Sequence, residues 1–117
     1  MTAMSDLADQ RCVPSRPEGR IDEAAVAPWL ARVPAWSLER DGAMPHLARR
    51  FKFANFAQAL AFANRVGAIA ESEDHHPEIT VEWGRVTVRW WTHVCRGLHP
   101  NDFVMAAKTD RLADDPR

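Results

Sequence analysis

The sequence predicts an α+β fold, a four-stranded antiparallel sheet with three helices packed on one face, and three observations predict it. Residues 55–73, "NFAQALAFANRVGAIAESE", carry apolar side chains at helical spacing. Residues 78–83 and 85–91, "EITVEW" and "RVTVRWW", show the two-residue alternation of β-branched and aromatic residues that marks strands. Extended segments also come as adjacent pairs between helical stretches. The resulting order of helix, hairpin, helix, hairpin, helix suits antiparallel pairing better than a parallel sheet.

Taken in order, residues 1–20 hold Pro, Gly and charge without apolar periodicity and read as a mobile tail. The domain is expected over 21–112, with 113–117 as a short C-terminal tail. Asp22 is placed to cap a first helix through "EAAVAPWLARV", whose stripe is Val26, Trp29, Leu30 and Val33. Pro28 removes one helical N–H, so this helix is expected to kink or to begin late. Residues 36–53 supply two extended segments around Asp41-Gly42, a dipeptide suited to the positive φ values of a tight turn. In the central helix Asn55 is the cap and Phe56, Ala59, Leu60, Ala63 and Val66 form the apolar stripe. A second hairpin turns near Gly84. The last helix opens at Pro100, which suits a first helical position, and carries Asp102 in its first turn.

At 117 residues, 46% of them hydrophobic, the chain fits one domain with a modest core. Fifteen basic against sixteen acidic residues create no field to hold a polyanion, which argues against nucleic acid or an anionic membrane as partner. No apolar run reaches the roughly 18 residues of a membrane span, and the polar start lacks a signal peptide's apolar stretch, so a cytoplasmic location is expected. Cys12 and Cys95 are too few for a disulfide framework and do not form a metal-type pair.

The chemistry gathers between residues 71 and 102. "ESEDHHPEITVEW" places His75 and His76 where the central helix gives way to a strand. His93 lies at the end of the following hairpin, and a turn near Gly84 brings positions 91–93 back beside 75–77. Three imidazoles can therefore converge, and imidazole, with an ordinary pKa of about 6.5, exchanges protons near neutral pH. Other readings of these residues stand beside that one. The adjacent pair can instead serve the last carbonyls of the helix and its dipole. Three histidines can also bind zinc, but the i, i+4 helical spacing is absent, and no metal is expected.

Glu71, three residues, His75-His76-Pro77, five residues to Trp83, nine to His93 and eight to Asp102 resembles the signature of the pterin-4a-carbinolamine dehydratases. The resemblance runs from about Ile21 to Leu112 and includes "VPAW", "FKF" and "AFANRV". Departures from the pattern are Pro28 in the first helix, His99-Pro100 in place of a more usual polar cap, and bulky Trp91 where a small hydroxyl residue is expected.

The resemblance implies dehydration of 4a-hydroxytetrahydrobiopterin to the quinonoid dihydropterin, which recycles the cofactor of aromatic amino acid hydroxylases. It implies that the chain needs no cofactor of its own. Carried over, His75 and His93 are the acid and base, and His76 binds and orients the pterin. Glu71 and Asp102 orient an imidazole or hold the pterin's polar edge, and Pro77 shapes the wall. The resemblance also implies a homodimer or homotetramer. Some relatives bind a transcription factor's dimerisation helix, so a coactivator-like role, or one in a related pterin or molybdopterin pathway, is the alternative.

Overall fold

In the computed structural model, which describes residues 7–40 and 44–114, the chain builds an α+β domain around a four-stranded antiparallel sheet. Beyond a helical turn at residues 7–9, the helix expected to open the domain, α1, is short (Val26–Leu30) and follows a 3-10 turn at Glu23–Ala25. Asp22 flanks that turn without making a side-chain cap bond. Pro28 falls in the first turn of α1, where backbone N–H groups have no intrahelical partner in any case, so the late-starting helix tolerates it.

Strands β1 (Ser37–Glu39) and β2 (His46–Lys52) pair in the register Leu38↔Leu47. The expected Asp41-Gly42 turn between them lies outside the described residues. Helix α2 (Phe56–Glu73) starts as expected, with the Asn55 side chain accepting from Gln58 N at 2.8 Å. Its buried stripe, however, is Ala59, Phe62, Ala63, Val66 and Ala70, while Phe56 and Leu60 are 46% and 43% exposed. Phe62 sets this rotation. Its ring packs at 4.8 Å from Phe51 and 5.1 Å from Phe53, and the stripe follows that anchor round the helix.

Strands β3 (Glu78–Glu82) and β4 (Arg85–Trp90) form the second hairpin around Gly84, whose φ of +72° suits a residue without Cβ. β4 also pairs with β2, giving the order β1-β2-β4-β3. Inward-facing Val86, Val88 and Trp90 are buried in the core. On the opposite face, cross-strand partners Glu78 and Arg89, and Glu82 and Arg85, form ion pairs, which keeps that surface polar. Helix α3 (Pro100–Asp114) packs beside α2 against the sheet and runs past residue 112. Among the described residues no helix is long and apolar enough to cross a membrane.

The expectation of a mobile tail through residue 20 needs correction from residue 7 onward. Leu7 and Ala8 are buried in the core, at 1% and 6% exposure. Cys12 N donates to Glu73 Oε1 at 2.8 Å, and Arg11 pairs with Glu73 at 2.9 Å. Lys108 Nζ donates to Ala8 O at 2.9 Å, and Asn101 holds Val13 through both backbone groups, at 3.0 and 2.7 Å. The segment has little periodicity of its own because its partners lie 61 to 100 residues away.

Burial raises the pKa of Glu73, but the Cys12 N–H, Lys108 and Arg11 outweigh it and hold the carboxyl below its usual 4.5. A folded value below the unfolded one means that the anchoring is fully present above pH 4.5 and lost as pH falls through the lowered value. The Cys12 amide proton shift, followed by NMR, is expected to titrate with a midpoint below 4.5. A midpoint above it would contradict the anchoring.

Candidate active site

The C-terminus of α2 aims the two adjacent histidines. Asp74 takes the left-handed conformation (φ 53°, ψ 45°), Asp74 N donates to Glu71 O at 3.3 Å, and His75 N donates to Ala70 O at 3.1 Å. This is a Schellman closure, so backbone N–H groups serve the last carbonyls and both imidazoles are left for other partners. They take carboxylates. His75 Nε2 donates to Asp102 Oδ1 at 2.7 Å, and His76 Nε2 donates to Glu71 Oε2 at 2.6 Å.

The two pairs differ in kind. His75 is buried, its ring stacked on Trp90 at 5.8 Å with 9° between planes, and Asp102 is wholly buried. Asp102 also accepts from Thr92 Oγ1 and from His99 N, both at 2.9 Å through Oδ2, so three donors fix its two oxygens. The His76–Glu71 pair is exposed, at 54% and 80% of the two side chains, and such pairs contribute about 0–1 kcal/mol.

His99 answers the question posed by the unusual His-Pro start of α3. Its Nδ1 accepts from Asn101 N at 3.0 Å while its own N–H is taken by Asp102, a reciprocal capping box with an imidazole in place of a hydroxyl. Burial pushes the His99 pKa down, and nearby His75 acts in the same direction, against Asp102.

His75, His76, Pro77 and His93 line one pocket of about 330 Å³, together with Ser15, Trp91 and Thr92. That volume is within the roughly 300–1,000 Å³ of small-molecule sites. His93 is exposed and stands not on β4 but in the 3-10 turn His93–Cys95 just beyond it, its ring 5.3 Å from that of Trp91. Glu71 reaches this pocket through His76, and Asp102 reaches it through His75 and Thr92. Asp102 is wholly buried, with its two oxygens taken by His75, Thr92 and the His99 N–H. Thr92 and Ser15 went unread in the sequence, and His99 was read only as standing in place of a more usual polar cap. The His-Pro-Asn-Asp run was the one available signal, since it has the spacing of a capping box.

A larger depression of about 480 Å³ lies between β2 and α2, lined by Arg49, Arg50, Lys52, Phe62 and Arg65 among others. No histidine or cysteine among the described residues lines it, so proton-transfer chemistry favours the smaller pocket. Among the described residues no three His, Cys, Asp or Glu side chains are gathered to hold a metal ion.

The fold and site together define a class: small α+β domains that present carboxylate-held imidazoles where a helix hands over to a β-hairpin. The family described as Pterin 4 alpha carbinolamine dehydratase matches residues 19–112, and the chain belongs to that family. It is 51% identical over 112 residues to a Saccharophagus degradans protein named "Putative pterin-4-alpha-carbinolamine dehydratase", covering 93% of this chain and 97% of that one. A protein of the same name from Nitrosococcus oceani is 48% identical over 110 residues, with the same coverage. A Brucella melitensis structure described as a transcriptional coactivator/pterin dehydratase superposes with TM-score 0.72 at 33% identity, over 80% of this chain and 98% of that one. A pterin dehydratase-like protein described as a RuBisCO assembly factor in the alpha-carboxysome superposes with TM-score 0.56 at 26% identity, over 68% and 89%.

Proposed function

We propose that the chain dehydrates 4a-hydroxytetrahydrobiopterin, or a pterin carbinolamine close to it, to the quinonoid dihydropterin and water. The observation that carries this reading is the single pocket shared by His75, His76 and His93, one of whose imidazoles is anchored on a buried carboxylate. The reaction is an elimination without change of oxidation state. A proton is delivered to the 4a-hydroxyl, the C–O bond breaks with loss of water, and a ring proton leaves as the new double bond forms. It needs one acid and one base.

With Nε2–H donated to Asp102, the neutral His75 ring carries its lone pair on Nδ1, the nitrogen left to take a proton. His93, on the facing turn, is the complementary partner. His76, steadied by Glu71 at the rim, binds and orients the pterin, and Pro77 shapes the wall. The expected setting is the recycling of a hydroxylase's pterin by a cytoplasmic homodimer or homotetramer.

The test is to mix pure protein with freshly generated 4a-hydroxytetrahydrobiopterin and follow the ultraviolet change on dehydration. A rate well above buffer is expected, and a rate equal to buffer overturns the reading. A protein-interaction role is the second reading. Phe56 and Leu60 favour it, since they lie one turn apart and exposed on α2, and the Brucella relative is described as a coactivator. An inactive protein in the assay would leave that reading standing.

A further inference from the structure

Among the described residues, the N-terminal segment reaches the histidine pocket at one point, Ser15, which lies outside the 19–112 stretch matched by the family. Two residues of that segment, Val13 and Ser15, are tied by three hydrogen bonds to the first turn of α3. Asn101 Oδ1 accepts from Val13 N at 3.0 Å, and Asn101 Nδ2 donates to Val13 O at 2.7 Å and to Ser15 Oγ at 3.1 Å. Val13 N can only donate, so the amide has one orientation and Nδ2 is the group that faces Ser15. Cys95 Sγ donates to Arg16 O at 3.2 Å, which fixes the chain on the other side of Ser15. A little further on, Gly19 lies so close to His99 that a Cβ there would stand 2.6 Å from Nε2, so the backbone is seated directly on that ring.

A serine hydroxyl has one donor and two acceptor sites, and Asn101 occupies an acceptor site. Among the described residues no acceptor takes the hydroxyl hydrogen, and the half-buried side chain lines the pocket of His75, His76 and His93. Asn101 is also the neighbour of Asp102, which anchors His75, so one helical turn sets both the imidazole and the hydroxyl.

We propose that Ser15 is a substrate-binding residue of this pocket, donating its hydroxyl hydrogen to an acceptor on the heterocycle, a ring nitrogen or carbonyl oxygen. This rests on the pterin dehydratase reading above. The N-terminal segment is then part of the site, and it sets specificity through a residue that the domain beginning at 19 does not supply.

The test compares wild type, Ser15→Ala and Ser15→Thr in the dehydration assay, with the Cys12 amide shift as a check that the segment stays seated. Loss of one neutral hydrogen bond to bound substrate is expected to raise the half-saturating concentration of Ser15→Ala by about 3- to 10-fold, with turnover within about 2-fold. Ser15→Thr, which keeps the hydroxyl, is expected near wild type. An unchanged half-saturating concentration for Ser15→Ala beside an active wild type overturns this inference alone. So does a displaced Cys12 amide in Ser15→Ala, which would assign Ser15 to seating the segment. An inactive wild type overturns both the inference and the reading it rests on.

Discussion

Replacing His75 or His93 by alanine is expected to lower turnover by about 10²-fold or more in each case, the usual scale for one acid or base group. The stability of the two variants should differ. His75 is buried against Trp90 and fills one oxygen of Asp102, so His75→Ala also leaves a buried acceptor short of a donor, at a cost of about 1–3 kcal/mol. His93 is exposed, and its truncation should leave unfolding almost unchanged. His76 is exposed at the rim, so His76→Ala should mainly raise the substrate concentration required. Circular dichroism and urea unfolding on each variant separate the chemistry from the fold. Near wild-type turnover in folded His93→Ala, with none in His76→Ala, would reverse the assigned roles.

The second large effect is expected at Asp102. Its two oxygens take donors from His75, Thr92 and the backbone of His99, all within a buried cluster. Asp102→Ala strands those three donors at once and removes half of the capping box of α3. A loss of about 3–5 kcal/mol is expected, because each buried donor left without an acceptor costs about 1–3 kcal/mol. Asp102→Asn keeps the shape but turns an NH2 group toward at least one donor, and should fall between alanine and wild type. Both variants free the His75 ring, so turnover should fall even where the protein folds. Urea midpoints with unchanged slopes read the stability. A midpoint in Asp102→Ala within about 0.5 kcal/mol of wild type would show that the cluster is not a structural hub.

The sequence reading succeeded where the governing interactions are local. Asn55 caps α2 with its own side chain, Pro100 opens α3, and Gly84 turns the second hairpin, each through bonds within a few residues. The convergence of histidines followed from that turn. The observed pairing Glu78↔Arg89, continued past the strand ends, sets His75 opposite Thr92 and His76 opposite Trp91. It failed where the partner is distant. Nothing near Leu7 or Ser15 in sequence announces Asn101, Glu73 or Lys108, so a segment without periodicity read as a tail. On α2, Ala59, Ala63 and Val66 are buried as expected, but Phe56 and Leu60 are not, because Phe62 is drawn inward by Phe51 and Phe53 on and beside another strand. Asp102 lay between the two cases. Its place in a first turn was legible, but its burial beneath His75 depends on a sheet and two helices meeting.

The central claim is that the imidazoles of this pocket carry out pterin dehydration. The most direct measurement is the dehydration time course of wild type beside the folded His75→Ala, His93→Ala double variant at equal concentration. Because the two groups serve one elimination, the double variant should lose less than the product of the two single losses and still lie at least about 10²-fold below wild type. A double variant as fast as wild type, with wild type above buffer, would show that the reaction runs elsewhere on the protein and would contradict the account.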